Sequence, residues 1–121
     1  MICATVRMSI APEKQREALS ILKPVVHRAR YEPGCLRCGV YRDVESEDVL
    51  IMESLWSSQE DMERHLRSDE YYRVLLVLDM ASVPPEISFN QITTSTGFEA
   101  IERARMTQCG KARSLNRGPD R

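Results

Sequence analysis

No stretch of this 121-residue chain is apolar for long enough to span a bilayer. The first ten residues, MICATVRMSI, lack the basic start, long apolar middle and small-residue cleavage site of a secretory leader. A cytoplasmic location is therefore expected. Net charge is also nearly absent, at −1 with a pI near 6.1, so the chain has no general attraction for nucleic acid or anionic lipid. No phosphate-cradling Gly-rich loop, HExxH, EF-hand pattern or Ser-His-Asp order is present, which leaves nucleotide, metal and hydrolytic chemistry without a motif. The cysteines are few and irregular, at Cys3, Cys35, Cys38 and Cys109, and make no disulfide framework. Reduced thiols are the expectation.

What is present is periodic. Ile2, Ala4, Val6, Met8 and Ile10 alternate with polar residues, which predicts a strand with one apolar face. APEKQREALSILKPVVHRAR follows, with Pro12 at a helix start and Ala18, Leu22, Val25, Val26 and Ala29 at helical spacing. Pro24 lies inside that pattern and predicts a kink or break. EPGC stops the helix. Residues 35–43 and 48–56 read as a hairpin joined by DVESED, the second strand apolar on both faces. Ser57 and Glu60 have capping-box spacing before a short helix, and Ser68 is a second candidate cap. EYYRVLLVLDMAS is a helix apolar nearly all round, which asks for a second contact, and ISFNQITT is a weak last strand.

The order β-α-β-β-α-β is the α+β split βαβ of the ferredoxin-like fold, an antiparallel sheet with helices on one face. The bare face predicts a homodimer. The domain is expected over residues 1–94. Residues 95–121 divide into a short amphipathic helix, with Phe98, Ile101 and Arg105 on one side, and a basic flexible tail.

The Cys-x-x-Cys at Cys35 and Cys38 starts a strand rather than a helix. Residues three apart in a strand point to opposite faces, so the sulfurs are expected to diverge and to pack, not to do redox or zinc chemistry. His27 reads as a surface residue. His65 follows Met62 by three residues and precedes Leu66, flanking the apolar stripe of its helix, where an imidazole faces either a cavity under the sheet or a boundary hydrogen bond. Trp56 shares a strand face with Met52 and Ser54. Tyr71 and Tyr72 diverge, so at most one lines a given pocket. Glu53, inside an apolar strand, needs an ion-pair partner, with Arg7 or Arg42 available, or else a polar cavity.

EPGCLRCGVYRD followed by LIMESLWSSQEDMERHLRSDEYY resembles the antibiotic biosynthesis monooxygenase (ABM) domain family over about residues 1–93. The shared pattern is a Pro-Gly-Cys strand entry and a Tyr-Arg-Asp exit. A Glu follows with a Trp three residues later, then His-Leu-x-Ser and an aromatic. The resemblance implies a ferredoxin-like dimeric α/β barrel with a pocket between sheet and helices in each subunit. Members oxidise phenols, quinols or anthrone-like polyketides with O2 and without metal or flavin; others degrade haem or isomerise phosphorylated sugars. The haem branch's Asn, Trp and His fall on Val6, His65 and Leu75. The polyketide monooxygenases' Trp matches Trp56, but their Asn and Tyr fall on Met52 and Met62. With His65 the chain resembles more closely the less characterised quinol-monooxygenase-like members.

Together these readings imply a cofactor-free monooxygenase for a small aromatic such as a quinol. His65 is the candidate base, Glu53 a catalytic residue orienting a polar group, and Trp56, Tyr71, Met52 and Met62 the substrate lining. Two alternatives stand beside it. An isomerase would use Arg7, Arg42 or Arg73 in its pocket. A non-catalytic dimeric binding or stress-response module would show a collapsed pocket with His65 and Glu53 satisfied by protein partners alone.

Overall fold

The computed structural model describes residues 1–109; the expected basic tail beyond them lies outside the described residues. Eight elements follow in chain order: β1 (Ile2–Ser9), α1 (Pro12–Ala29), β2 (Cys35–Arg42), β3 (Val49–Trp56), α2 (Gln59–Leu66), α3 (Tyr72–Leu78), β4 (Glu86–Gln91) and α4 (Phe98–Cys109). The strands form one antiparallel sheet in the order β2-β3-β1-β4, the ferredoxin-like arrangement that the sequence order predicts. No helix among the described residues is long and apolar enough to cross a membrane.

Alternation decides which face is covered. Ile2, Ala4, Val6 and Met8 of β1 are buried and lie opposite Trp56, Ser54, Met52 and Leu50 of β3. Helix α1 closes this face with Ala18, Leu22, Val25, Val26 and Ala29, all buried in one cluster with Val74 and Val77 of α3. Burying side chains of this size contributes about 1.5–3 kcal/mol each for the larger aliphatics. α1 runs through Pro24 without a break. A proline removes a single donor, and the apolar stripe on both sides of it stays packed on the sheet. Gln15, buried at the start of α1, donates to the carbonyl of Ile10 at 3.0 Å and to that of Glu47, and accepts from Arg42. Its full satisfaction ties α1 to the β2–β3 hairpin.

Two local readings change. The cap of α2 is Ser58, which accepts from the amide of Asp61 at 3.1 Å, one residue later than the Ser57–Glu60 box. Ser57 instead donates to the Asp61 carboxylate at 2.8 Å. α3 is only seven residues long, because Ser68 caps a preceding turn, accepting from the Tyr71 amide. Leu75 and Leu76 of α3 remain half-exposed.

The largest change concerns the cysteines. β2 carries a bulge between Cys35 and Arg37, so Cys35 lies opposite Trp56 while Cys38 lies opposite Ser54. Trp56 and Ser54 share a face, and Cys35 and Cys38 therefore share it too. The extra residue, Leu36, reverses the parity that puts residues three apart on opposite sides.

Candidate functional site

The site grows from the end of β3 and from α2. Trp56 is completely buried, and its indole donates to the Ser54 hydroxyl at 2.9 Å. His65 stacks on it, with ring centroids 4.6 Å apart and an interplanar angle of 29°. Tyr71 meets the imidazole edge-on at 5.2 Å. α2 delivers His65 to this place because Met62, one turn earlier, packs on Ile2, Ala4 and Trp56.

Between these rings and the sheet is a cavity. β1 lines it with Ala4 and Val6, β3 with Met52, Ser54 and Trp56, and α2 with Met62, His65 and Leu66; Tyr71 completes the wall. It offers about 10 Å³ to the centre of a water-sized sphere, which is room for about one water molecule.

His65 is 1 % exposed, and its two ring nitrogens have different surroundings. Nδ1 lies 3.0 and 3.1 Å from the two carboxylate oxygens of Glu32. A carboxylate only accepts, so Nδ1 carries the proton and donates, and in the neutral ring Nε2 keeps its lone pair. Nε2 is buried and has no hydrogen-bond partner among the described residues. His65 is part of the cavity wall and Glu32 is not. A buried polar atom left wholly unpaired costs about 1–3 kcal/mol, which a water molecule or a ligand hydroxyl placed there would relieve. Burial pushes the Tyr71 phenol above its ordinary value, with the nearby Cys38 thiol adding to the shift, so it remains a neutral hydroxyl.

Of the residues singled out from sequence, His65, Trp56, Tyr71, Met52 and Met62 meet around this one cavity. Tyr72 points to solvent. Glu53 does not join them. It lies opposite Thr5 and Gly39 on the uncovered sheet face, because it is one residue out of step with Met52 and Ser54. Neither suggested partner reaches it: Arg7 pairs with Asp43 at 3.6 Å, and Arg42 bonds to Gln15. Arg73 pairs with Glu70 at 3.7 Å, so Arg7, Arg42 and Arg73 are all absent from the cavity wall.

Glu32 is the residue that sequence reading missed. Its place in EPG is informative in retrospect. The turn that stops α1 runs along α2: Pro33 accepts weakly from Arg64, Gly34 abuts the Asp61 side chain, and Glu32 reaches His65. The thiols beside it are poor nucleophiles. Burial raises Cys35, and it pushes Cys38 up to about 12. Among the described residues no cluster of His, Cys, Asp and Glu has the arrangement of a metal site.

The family model described as antibiotic biosynthesis monooxygenase matches residues 1–74. No curated protein matches the chain by sequence. Among solved structures, the chain is similar to a conserved protein from Methanosarcina mazei Go1, at 25% identity and a TM-score of 0.70 over 74% of this chain and 90% of that one. It is also similar to a candidate antibiotic biosynthesis monooxygenase from Deinococcus radiodurans, at 17% identity and a TM-score of 0.74 over 81% and 98% of the two chains. Rv0793 from Mycobacterium tuberculosis shares 15% identity and a TM-score of 0.72 over 79% and 98%.

Proposed function

The chain belongs to the antibiotic biosynthesis monooxygenase family, and we propose that it is a cofactor-independent monooxygenase oxidising a small hydroxylated aromatic, such as a quinol, with O2. The observation that carries this reading is the placement of His65: Nδ1 is held by Glu32, Nε2 has no protein partner among the described residues, and the ring lines an apolar cavity. A ring hydroxyl set against Nε2 gives up its proton there, and the resulting anion is electron-rich enough to reduce O2 directly. One oxygen atom enters the ring as a carbonyl oxygen. The other leaves as water with two hydrogens from the substrate, whose own electrons complete the reduction. Trp56, Tyr71, Met52 and Met62 supply walls that exclude bulk water and favour the neutral product. Glu32 fixes the tautomer and direction of the base. Glu53, on the other sheet face, takes no part at this cavity.

The same reading includes a homodimer in which a second copy covers the bare sheet face. Ile51, Leu55 and Tyr41 supply apolar surface there, and Glu53 sits among them. The small cavity volume is what a non-catalytic module would also have; the ring of His65 oriented by Glu32 at that cavity is what favours the enzyme. The apolar wall, without an arginine, disfavours a phosphorylated substrate.

The test is O2 consumption by purified protein over a panel of quinols and anthrones. His65→Ala is expected to lower the rate on the order of 100-fold or more, as removal of a general base does. A variant as fast as the wild type removes His65 from the mechanism.

A further inference from the structure

The cavity beside His65 is too small for any ring compound, yet it is one side chain away from the surface. Met62 and Leu66, one turn apart on α2, line the cavity on their inner side. On their outer side the same two residues line an open groove between α2 and β4 of about 440 Å³ on the same measure. Ile2 and Phe89 make the rest of its apolar floor, and Gln59 and Gln91 its polar rim. Phe89 is 46 % exposed, an aromatic ring with one face uncovered.

We propose that this groove is the vestibule of the cavity and that Met62 and Leu66 form the gate between them. The occupant is a flat hydroxylated aromatic ring. The ring rests against Phe89 and Ile2 until the two α2 side chains turn aside, and the hydroxyl then reaches Nε2. Three features favour this route over the other walls. Trp56 is stacked, hydrogen-bonded and completely buried. Ala4, Val6 and Met52 are held in the sheet. Met62 is unbranched with three rotatable bonds, and Leu66 is only partly covered, so they are the wall's adaptable members. Gating of this kind sets association rates and excludes water while the gate is shut. The identity of the ring rests on the monooxygenase reading; the route does not.

Trp56 is the only tryptophan in the chain and sits in the cavity wall, so its emission reports entry directly. The first probe is acrylamide, a small neutral quencher. The wild type is expected to be nearly protected, Leu66→Ala to be quenched about tenfold more readily, and Leu66→Phe to be quenched less. The second probe is 4-nitrophenol, followed by stopped-flow quenching. Its association is expected to be faster in Leu66→Ala and slower in Leu66→Phe, while Phe89→Ala weakens binding without changing acrylamide access. Met62→Leu, which keeps volume and removes flexibility, is expected to slow entry without unfolding. Acrylamide quenching that is the same in both Leu66 variants overturns the gate, whatever the O2 assay gives. Opposite shifts with no O2 consumption keep the route and discard the reaction.

Discussion

At the scale of single residues, the decisive contact is between Glu32 and His65. They lie far apart in sequence, and both strands of the β2–β3 hairpin separate them. Glu32→Gln is expected to be more harmful than its small change in shape suggests. The amide presents either a donor or an acceptor to Nδ1; where its oxygen faces the ring the tautomer is kept, and where its nitrogen does, the proton moves to Nε2 and the base is lost. The expected result is a loss of turnover on the order of 100-fold with Trp56 emission unchanged, measured by O2 uptake and fluorescence on the same sample. Cys38 gives a separate prediction about pH. Its thiol ionises near 9.0 when unconstrained and at about 12 in the fold, because burial penalises the thiolate. Between those values the unfolded chain has lost a proton that the folded chain retains. The contribution to stability is therefore complete below pH 9 and declines as pH rises towards 12. Urea midpoints followed upward from pH 9 are expected to fall less steeply in Cys38→Ala than in the wild type.

At the scale of elements, the turn EPG and the first turn of α2 hold one another. Gly34 has φ of +86°, and a Cβ there would run into the Asp61 side chain. Hydrogen bonds from Ser57 and the Arg64 guanidinium hold that carboxyl below its ordinary range, so it is fixed in place as an anion. Gly34→Ala is expected to destabilise the fold by about 1–3 kcal/mol from backbone strain alone, seen in chemical denaturation. It should also disturb the Glu32–His65 contact, because Glu32 is two residues upstream. Much of this architecture was legible in sequence. β1 announces itself by strict alternation, and α1 by its stripe from Ala18 to Ala29. Met62, His65 and Leu66 were readable as one helical face. What resisted reading were features without a local signal. A bulge has no reliable signature, so the facing of Cys35 was misjudged. Glu32 resembles any acidic residue near a helix end until the fold brings α2 beside it. Glu53 attracted attention as a carboxylate in an apolar strand. Its face, however, was fixed by the same alternation that placed Met52 and Trp56 on the covered side.

At the scale of the whole molecule, α1, α2 and α3 cover one sheet face except along β4, where Ile87 and Phe89 stay half-exposed, and Ile51, Glu53 and Leu55 lie on the other face. Ile51 and Leu55 on that face alternate with the buried set and are partly buried, while Tyr41 is half-exposed. A self-associating molecule would bury them and force Glu53 to find a partner across the interface. Leu55→Glu, which adds a second acid next to Glu53, is expected to convert a dimer into a monomer of half the mass by light scattering. A wild type that is already monomeric at all concentrations would remove the dimer from the proposal. The site itself lies on the covered side, so loss of the dimer is expected to change stability more than the chemistry at His65.

The bulge at Leu36 acts as a phase shifter within β2. Downstream of it the strand keeps the sheet's beat; upstream, every position is displaced by half a pleat. Cys35, the first residue of the strand after the helix-stop segment, therefore arrives on the covered side opposite Trp56. A single unpaired residue thus decides which side of the sheet the start of β2 faces: shortening the strand by Leu36 is expected to move Cys35 away from Trp56 while leaving the rest of the sequence unchanged.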